Sequence, residues 1–247
     1  MTRSGIDDHA ARSQRQSTVP GAPVPVWYRA QLLLFGLILA ALALWVLLPE
    51  SYRARNVELP ANEPASRLLL AKRDSAGRAA SLAAVRGDLW AESALTYSNL
   101  LWGAATTGTG AAQTTAAKAR EDLENALRYS PHRSDVWLML AELAERNHWQ
   151  NYAPALLLRM SYYTAPNELA LFALRVKTSL RAGMIDDPEI QDMSKHDIRQ
   201  VVTKAPTLRP ALVEGYKQAS PAGKAFVERV ISEIDPTYLA LLRAGML

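Results

Sequence analysis

Three regimes of hydrophobic patterning divide the chain. Residues 1–25 carry no apolar periodicity and are rich in Ser, Arg, Gln and Pro. Such a segment cannot bury enough apolar surface to offset its chain entropy, so it reads as a disordered tail. The second regime is "VWYRAQLLLFGLILAALALWVLLPESYR", uncharged and apolar from Leu32 to Leu48. At about 1.5 Å rise per residue, a helix over that run and its flanking turn matches a hydrocarbon core about 30 Å thick. Trp27 and Tyr28 at one end, and Trp45 and Tyr52 near the other, have the placement of an aromatic belt. Residues 26–49 are therefore predicted to be a transmembrane helix in contact with lipid, ended by Pro49. A cleaved signal peptide fits less well, because "PESYRARN" has no small-x-small site. A buried core helix is rarely apolar on every face over this length.

The third regime has apolar positions at helical spacing. Residues 50–65, with Pro60 and Pro64, read as a linker ahead of a helical domain over 66–182. Residues 66–102 contain no proline, and Leu68, Leu82, Val85, Leu89, Leu95 and Leu101 predict the buried face of one long helix, with Trp90 and Trp102 adding bulk. The Gly/Thr-rich "GAATTGTGAAQTT" follows as a loop and lacks the spacing of a phosphate-binding P-loop. Further helices are predicted over 114–129, 135–147, 151–164 and 167–182. Their joints, "SPHRS", "HWQN" and "AP", are short enough to force antiparallel neighbours. Residues 183–247 read as capping helices. Asp187-Pro188-Glu189 opens one weakly, and Ser194 to Lys204 forms another, with Ser194 or Asp197 as its cap. Thr207 caps a third with Pro210 in its first turn, and Ser220-Pro221 and Asp235-Pro236 are strong helix starts. Ile231, Ile234, Leu239 and Leu242 are expected in the core, and no hairpin chemistry is present.

A repeat runs through the middle of this domain. Ala119, Leu123 and Ala126 precede Pro131; Ala153, Leu157 and Met160 follow thirty-four residues later, with Pro166 one residue late. Trp137, Leu140 and Ala141 lie upstream of the second set. This order resembles the tetratricopeptide repeat (TPR), with Trp137, Leu140, Ala141, Ala153 and Leu157 at its signature spacing. The resemblance covers residues 114–166 and extends weakly into 167–182; Ala144 stands where the family often has tyrosine. It implies an all-α, TPR-like, α-solenoid-like domain of antiparallel helix pairs after one transmembrane helix, acting as a binding scaffold. Ala141 and Ala153 would let paired helices approach, and Trp137 and Leu157 would fill the groove between them.

Composition agrees with a helical protein. Hydrophobic residues make up 49% and charged residues 21%, with Ala and Leu, both strong helix formers, dominant. The formal charge of +4 is not concentrated: acidic and basic residues alternate, as in "AKAREDLENALR", which argues against a nucleic-acid interface. The chain has 247 residues and no cysteine, which excludes disulfides, thiolate metal sites and cysteine nucleophiles.

The candidate chemistry is sparse. His9, His132, His148 and His196 do not form a helical metal-ligand spacing. Ser194, Lys195, His196 and Asp197 are consecutive, and consecutive helical side chains do not face one another. Glu121 with Asp122, Glu142 with Glu145 and Asp186 with Asp187 resemble acid/base pairs only in composition, since such pairs must face each other across a cleft. His132, Arg133 and Asp135 sit at a helix joint, where Ser134 or Asp135 would cap the next helix. No catalytic residue, cofactor site or metal site is expected.

One surface is expected to matter. In a stack of helix pairs, Glu142, Glu145, Arg146 and Arg175 would project near a concave groove and bind a protein or peptide partner; a plain solvated face is the alternative. The layout as a whole looks like that of accessory subunits of bacterial secretion, translocation or polysaccharide-export systems. It predicts a non-enzymatic inner-membrane scaffold whose C-terminal domain is periplasmic and whose partners are other membrane or envelope proteins, in surface-polysaccharide biosynthesis or export. The rival expectations are an envelope hydrolase acting on cell-wall glycan and a cytoplasm-facing scaffold.

Overall fold

The computed structural model describes residues 25–53, 67–103 and 110–244. The expected disordered tail, most of the expected linker and residues 104–109 of the Gly/Thr-rich stretch lie outside the described residues; residues 110–115 of that stretch, expected as loop, are helical. The fold is all-α, with no strand among the described residues. Its contacts divide the chain at Leu44 and Trp45 into two units.

Helix α1 (Val26–Ser51) carries the long apolar run. Its most apolar window has a mean hydropathy of 2.7 and is only 6% buried. Pro49 is its single buried residue.

The stretch expected to be one long helix is two, α2 (Arg67–Ala83) and α3 (Gly87–Gly103). Ala84, at φ 45°, breaks the helix, and the Trp90 indole donates to its carbonyl at 2.8 Å and holds the corner. The break lets α2 fold back so that Ala76, Ala79, Ala80 and Ala83 bury against α3. Leu82 and Val85 are consequently exposed rather than in the core, whereas Leu89, Leu95 and Leu101 are buried as expected.

The next helices are α4 (Gly110–Tyr129), α5 (Ser134–Arg146) and α6 (Pro154–Thr164). A 3-10 turn at Leu169–Leu171 leads into α7 (Phe172–Ser179), which is shorter than the helix expected over 167–182. The α3/α4 and α5/α6 pairs are the most extensive contacts of the fold. Ala119, Leu123 and Ala126 are fully buried, as are Leu140 and Ala141, so the alanines let backbones approach while the leucines fill the seam. Ala153 does not share that role: it is exposed and stands at the N-cap of α6. The joint before α5 also differs from expectation. Arg133 is the N-cap, without a side-chain cap bond, and its guanidinium forks onto Asp135 at 2.8 and 2.5 Å.

The C-terminal part comprises α8 (Pro188–Thr203), α9 (Arg209–Gln218), α10 (Pro221–Ile234) and α11 (Pro236–Ala244). Asp187 caps α8 by accepting from the Glu189 and Ile190 amides at 2.9 and 3.3 Å. Ser194 and Asp197 therefore lie inside a continuous helix and cap nothing. Thr207 is not a cap either; it sits in a 3-10 turn before α9. Ser220 and Asp235 cap α10 and α11 as expected. Among the described residues three apolar clusters result: the small α2/α3 alanine cluster, one centred on α3–α6 and one on α7–α11, the last with Phe172, Ile198, Leu212, Val227 and Ile231 at its heart. Leu242 is buried there, and Ile234 and Leu239 pack at its edge.

Candidate functional site

Charged groups penetrate the helical domain at three places, and each joins helices. The first is in the α3/α4 pair. Asp122 is fully buried; it accepts from Ser93 Oγ at 2.6 Å, and Lys118 Nζ lies 2.9 Å from its other oxygen. Burial pushes the Asp122 carboxyl above the usual aspartate range, against the opposing pull of Ser93 and Lys118. Lys118 also sits 5.6 Å over the Trp90 ring.

The second joins α5 to α7 and contains three of the residues expected to form a partner-binding groove. Glu142 is fully buried, and its carboxylate accepts from Thr178 Oγ1 at 2.8 Å and from Arg181 Nη2 at 2.5 Å. Arg181 Nη1 reaches Glu145, so one guanidinium bridges both acids. Lys177 stands within electrostatic reach of Glu142, Arg146 and Arg181, and burial pulls its pKa down. Glu145 and Arg146 are half-buried. The expectation that Glu142 projects into a groove is thus corrected: it sits one helical turn after Leu138, on the buried face of α5.

The third contains Arg175, which is also fully buried rather than projecting. Its Nη2 donates to the carbonyls of Ser161 at 2.5 Å and Ala165 at 3.0 Å, while Nε donates to Ser161 Oγ at 3.2 Å. These are groups of the last turn of α6, where unsatisfied carbonyls and the helix dipole favour a cation. The guanidinium lies 4.4 Å over the Tyr162 ring. Burial lowers its pKa, and the charge of Asp197 on α8 opposes that shift. Asp197 is 6% exposed; burial raises its pKa, and Arg175 and Tyr162 pull it back. The Tyr162 hydroxyl, Ser194 Oγ and Asp197 Oδ2 are buried without a well-formed hydrogen bond. Burial raises the Tyr162 pKa as well.

A surface cavity of about 230 Å³ opens beside this third cluster, lined by Pro166, Asn167, Leu169, His196, Asp197 and Gln200. His196 and Lys195 face away from the buried side of α8: His196 Nε2 is 3.3 Å from Gln200 Nε2, and Lys195 pairs with Glu233 at 2.7 Å. Ser194 and Asp197, three residues apart, share the inner face instead. The sequence run Ser194–Asp197 is therefore divided by helical geometry: Ser194 and Asp197 are buried and His196 is exposed, with His196 and Asp197 both reaching the cavity. The buried charges of Arg175 and Asp197 couple the packing of α6, α7 and α8.

Sequence reasoning placed Arg175 and Glu142 on a surface and overlooked Arg181, Ser161 and Tyr162. The available signal was a lone charge within an apolar run: Arg175 follows Leu171 by four residues, and Glu142 follows Leu138 by four, so each falls on a hydrophobic stripe. Among the described residues, no group of three or more His, Asp or Glu could hold a metal ion. Comparison with protein-family models, curated proteins and solved structures finds no match to this chain.

Proposed function

We propose that this chain is a single-pass membrane protein whose helical domain is a non-enzymatic scaffold, an accessory subunit of a bacterial envelope assembly. One observation carries the reading: α1 is exposed over its whole apolar length, with a mean hydropathy of 2.7. In water such a surface far exceeds the apolar patches that soluble monomers tolerate, and a bilayer accommodates it. The domain beyond it is built of short-looped helix pairs, with α5 and α6 as the TPR-like unit, and such stacks present extended surfaces to partner proteins. Glu145 and Arg146 at the edge of that unit remain the proposed partner contacts, together with the exposed Leu156 and Tyr163, seven residues apart on α6. The proposed placement is the inner membrane with the domain in the periplasm, and the first pathway to test is surface-polysaccharide biosynthesis or export, whose accessory subunits share this layout.

Crosslinking in native membranes followed by mass spectrometry is the direct test. Photoreactive residues at Arg146 and Leu156 should capture a membrane or envelope protein, and one at the buried Ala141 should not. Capture of no protein from any of these positions, or recovery of the chain in the soluble fraction, would overturn the scaffold reading. A reporter fused after Leu247 that is active only in the cytoplasm would reverse the orientation.

A further inference from the structure

The last turns of α1 do not end in free space. The Trp45 indole donates to the Leu82 carbonyl at 3.3 Å. Glu50 pairs with Arg86 at 2.6 Å. Arg53 pairs with Glu92 at 2.5 Å and lies 3.6 Å from Asp88. The order is the same on both sides: residues 45, 50 and 53 meet residues 82, 86 and 92 in sequence. The end of α1 and the start of α3 therefore climb together, and α2, joined to α3 by the short corner at Ala84–Arg86, descends towards Trp45.

This register sets a depth. Trp45 belongs to the apolar run, about 7.5 Å along the helix before Glu50, which is the level at which tryptophan rings occupy a membrane interface. Leu82 is held at the level of Trp45, and Arg86 at the level of Glu50. Val85 lies between them. Leu82 is 41% exposed and Val85 58% exposed, at a corner where neither packs into the core. Arg78, exposed one helical turn before Leu82, would stand among the headgroups above it.

We propose that the α2–α3 corner, through Leu82 and Val85, inserts into the interfacial layer of the bilayer that α1 crosses, so that the helical domain is seated on the membrane by a second contact. The proposal rests on the membrane-span reading of α1. Its occupant is the lipid interface, because the patch is continuous with the belt residue Trp45 and the exposed cation Arg78 stands one turn above it, while Arg86 is already paired with Glu50 and Asp88.

The test uses the cysteine-free full-length chain in proteoliposomes of mixed zwitterionic and anionic lipid. Single cysteines at Val85, Leu39 and Ala225 each carry an environment-sensitive fluorophore. Leu39 is within the apolar run, and Ala225 is an exposed residue of α10. The label at Val85 should be blue-shifted, quenched by spin-labelled lipid and protected from aqueous iodide; the label at Ala225 should show the opposite. If Leu39 is lipid-quenched while Val85 is quenched by iodide like Ala225, the corner does not insert and the proposal fails alone. If Leu39 is itself open to iodide, the span reading fails and takes the proposal with it.

Discussion

Arg181, just beyond α7, holds the fully buried carboxylate of Glu142 on α5 at 2.5 Å and bridges to Glu145 with its other nitrogen. Removing the cation leaves a buried negative charge held by the Thr178 hydroxyl, with Lys177 in electrostatic reach. Breaking a buried pair from one side costs about 3 kcal/mol, more than the pair contributes relative to apolar substitutes. Arg181→Ala should therefore lower the urea midpoint of the detergent-solubilised chain by that order, and Arg181→Lys, which cannot fork onto two carboxylates, should fall between. The combined variant Glu142→Leu with Arg181→Met should recover much of the loss. A midpoint unchanged in Arg181→Ala would refute the bridging role. The same geometry makes Glu142 a poor probe of partner binding, because its charge reversal would unfold α5 from α7.

Helix positions in the chain were readable where local chemistry decides them. Ser220-Pro221 and Asp235-Pro236 start helices as their cap residues require. Apolar stripes such as Ala119, Leu123 and Ala126 are buried as spaced. The failures have a common physical origin in tertiary packing. Locally only Gly87 weakens the proline-free run near Ala84; the alanine face of α2 completes the break by burying against α3. Buried charge is rare, so the local pattern puts Glu142 and Arg175 at the surface, yet both sit on the hydrophobic stripe, Glu142 paired with Arg181 and Arg175 hydrogen-bonded to the Ser161 hydroxyl and carbonyl. The candidate site was legible only as stripe positions occupied by the wrong residue type.

Two glycines should respond in opposite directions. Gly223, in the first turn of α10, lies so close to the end of α7 that an added Cβ would be 2.3 Å from the Leu180 carbonyl oxygen. The same carbonyl accepts from both the amide and the hydroxyl of Ser220 at 3.0 Å. Gly223→Ala must push α10 outward and strain those bonds, at about 2 kcal/mol. Gly77, inside α2, has only ordinary contacts at 3.9 Å for a new Cβ, so Gly77→Ala should stabilise by about 0.5–1 kcal/mol through lower unfolded-state entropy. Thermal unfolding of the two variants beside the parent checks both signs, and equal shifts would contradict the close approach at Gly223.

Asp197 gives a pH signature. Burial raises its native-state pKa above the ordinary aspartate value. Between those two values the folded chain binds more protons than the unfolded chain, so stability falls as pH rises through that window and then levels off. Asp197→Asn removes this dependence but leaves the Arg175 contribution fixed. The stability of the parent minus that of Asp197→Asn should therefore be greatest at the acid end and decline to a plateau, measured by denaturant unfolding from about pH 3 to about pH 8. A difference that rises with pH would mean that the carboxylate is net stabilised in the fold by Arg175.

Arg53 lies among three carboxylates, 3.4 Å from Glu50, 3.6 Å from Asp88 and 2.5 Å from Glu92, with Arg86 as the other cation of the group. Its loss would leave Glu92, whose pKa burial already raises, next to two acids that raise it further. Arg53→Ala should cost about 1–2 kcal/mol at neutral pH and expose the α2–α3 corner to proteolysis, the sum of one charge-assisted bond and two weaker pairs. The variant's deficit should shrink as pH falls through the raised Glu92 value, because protonation removes the repulsion that the arginine offsets. High salt should shrink it less, since Glu92 is 16% exposed at its side chain and largely shielded from ions. Limited proteolysis of parent and variant across pH and ionic strength separates these effects, and a deficit independent of pH would assign the loss to packing of the Arg53 side chain rather than to its charge.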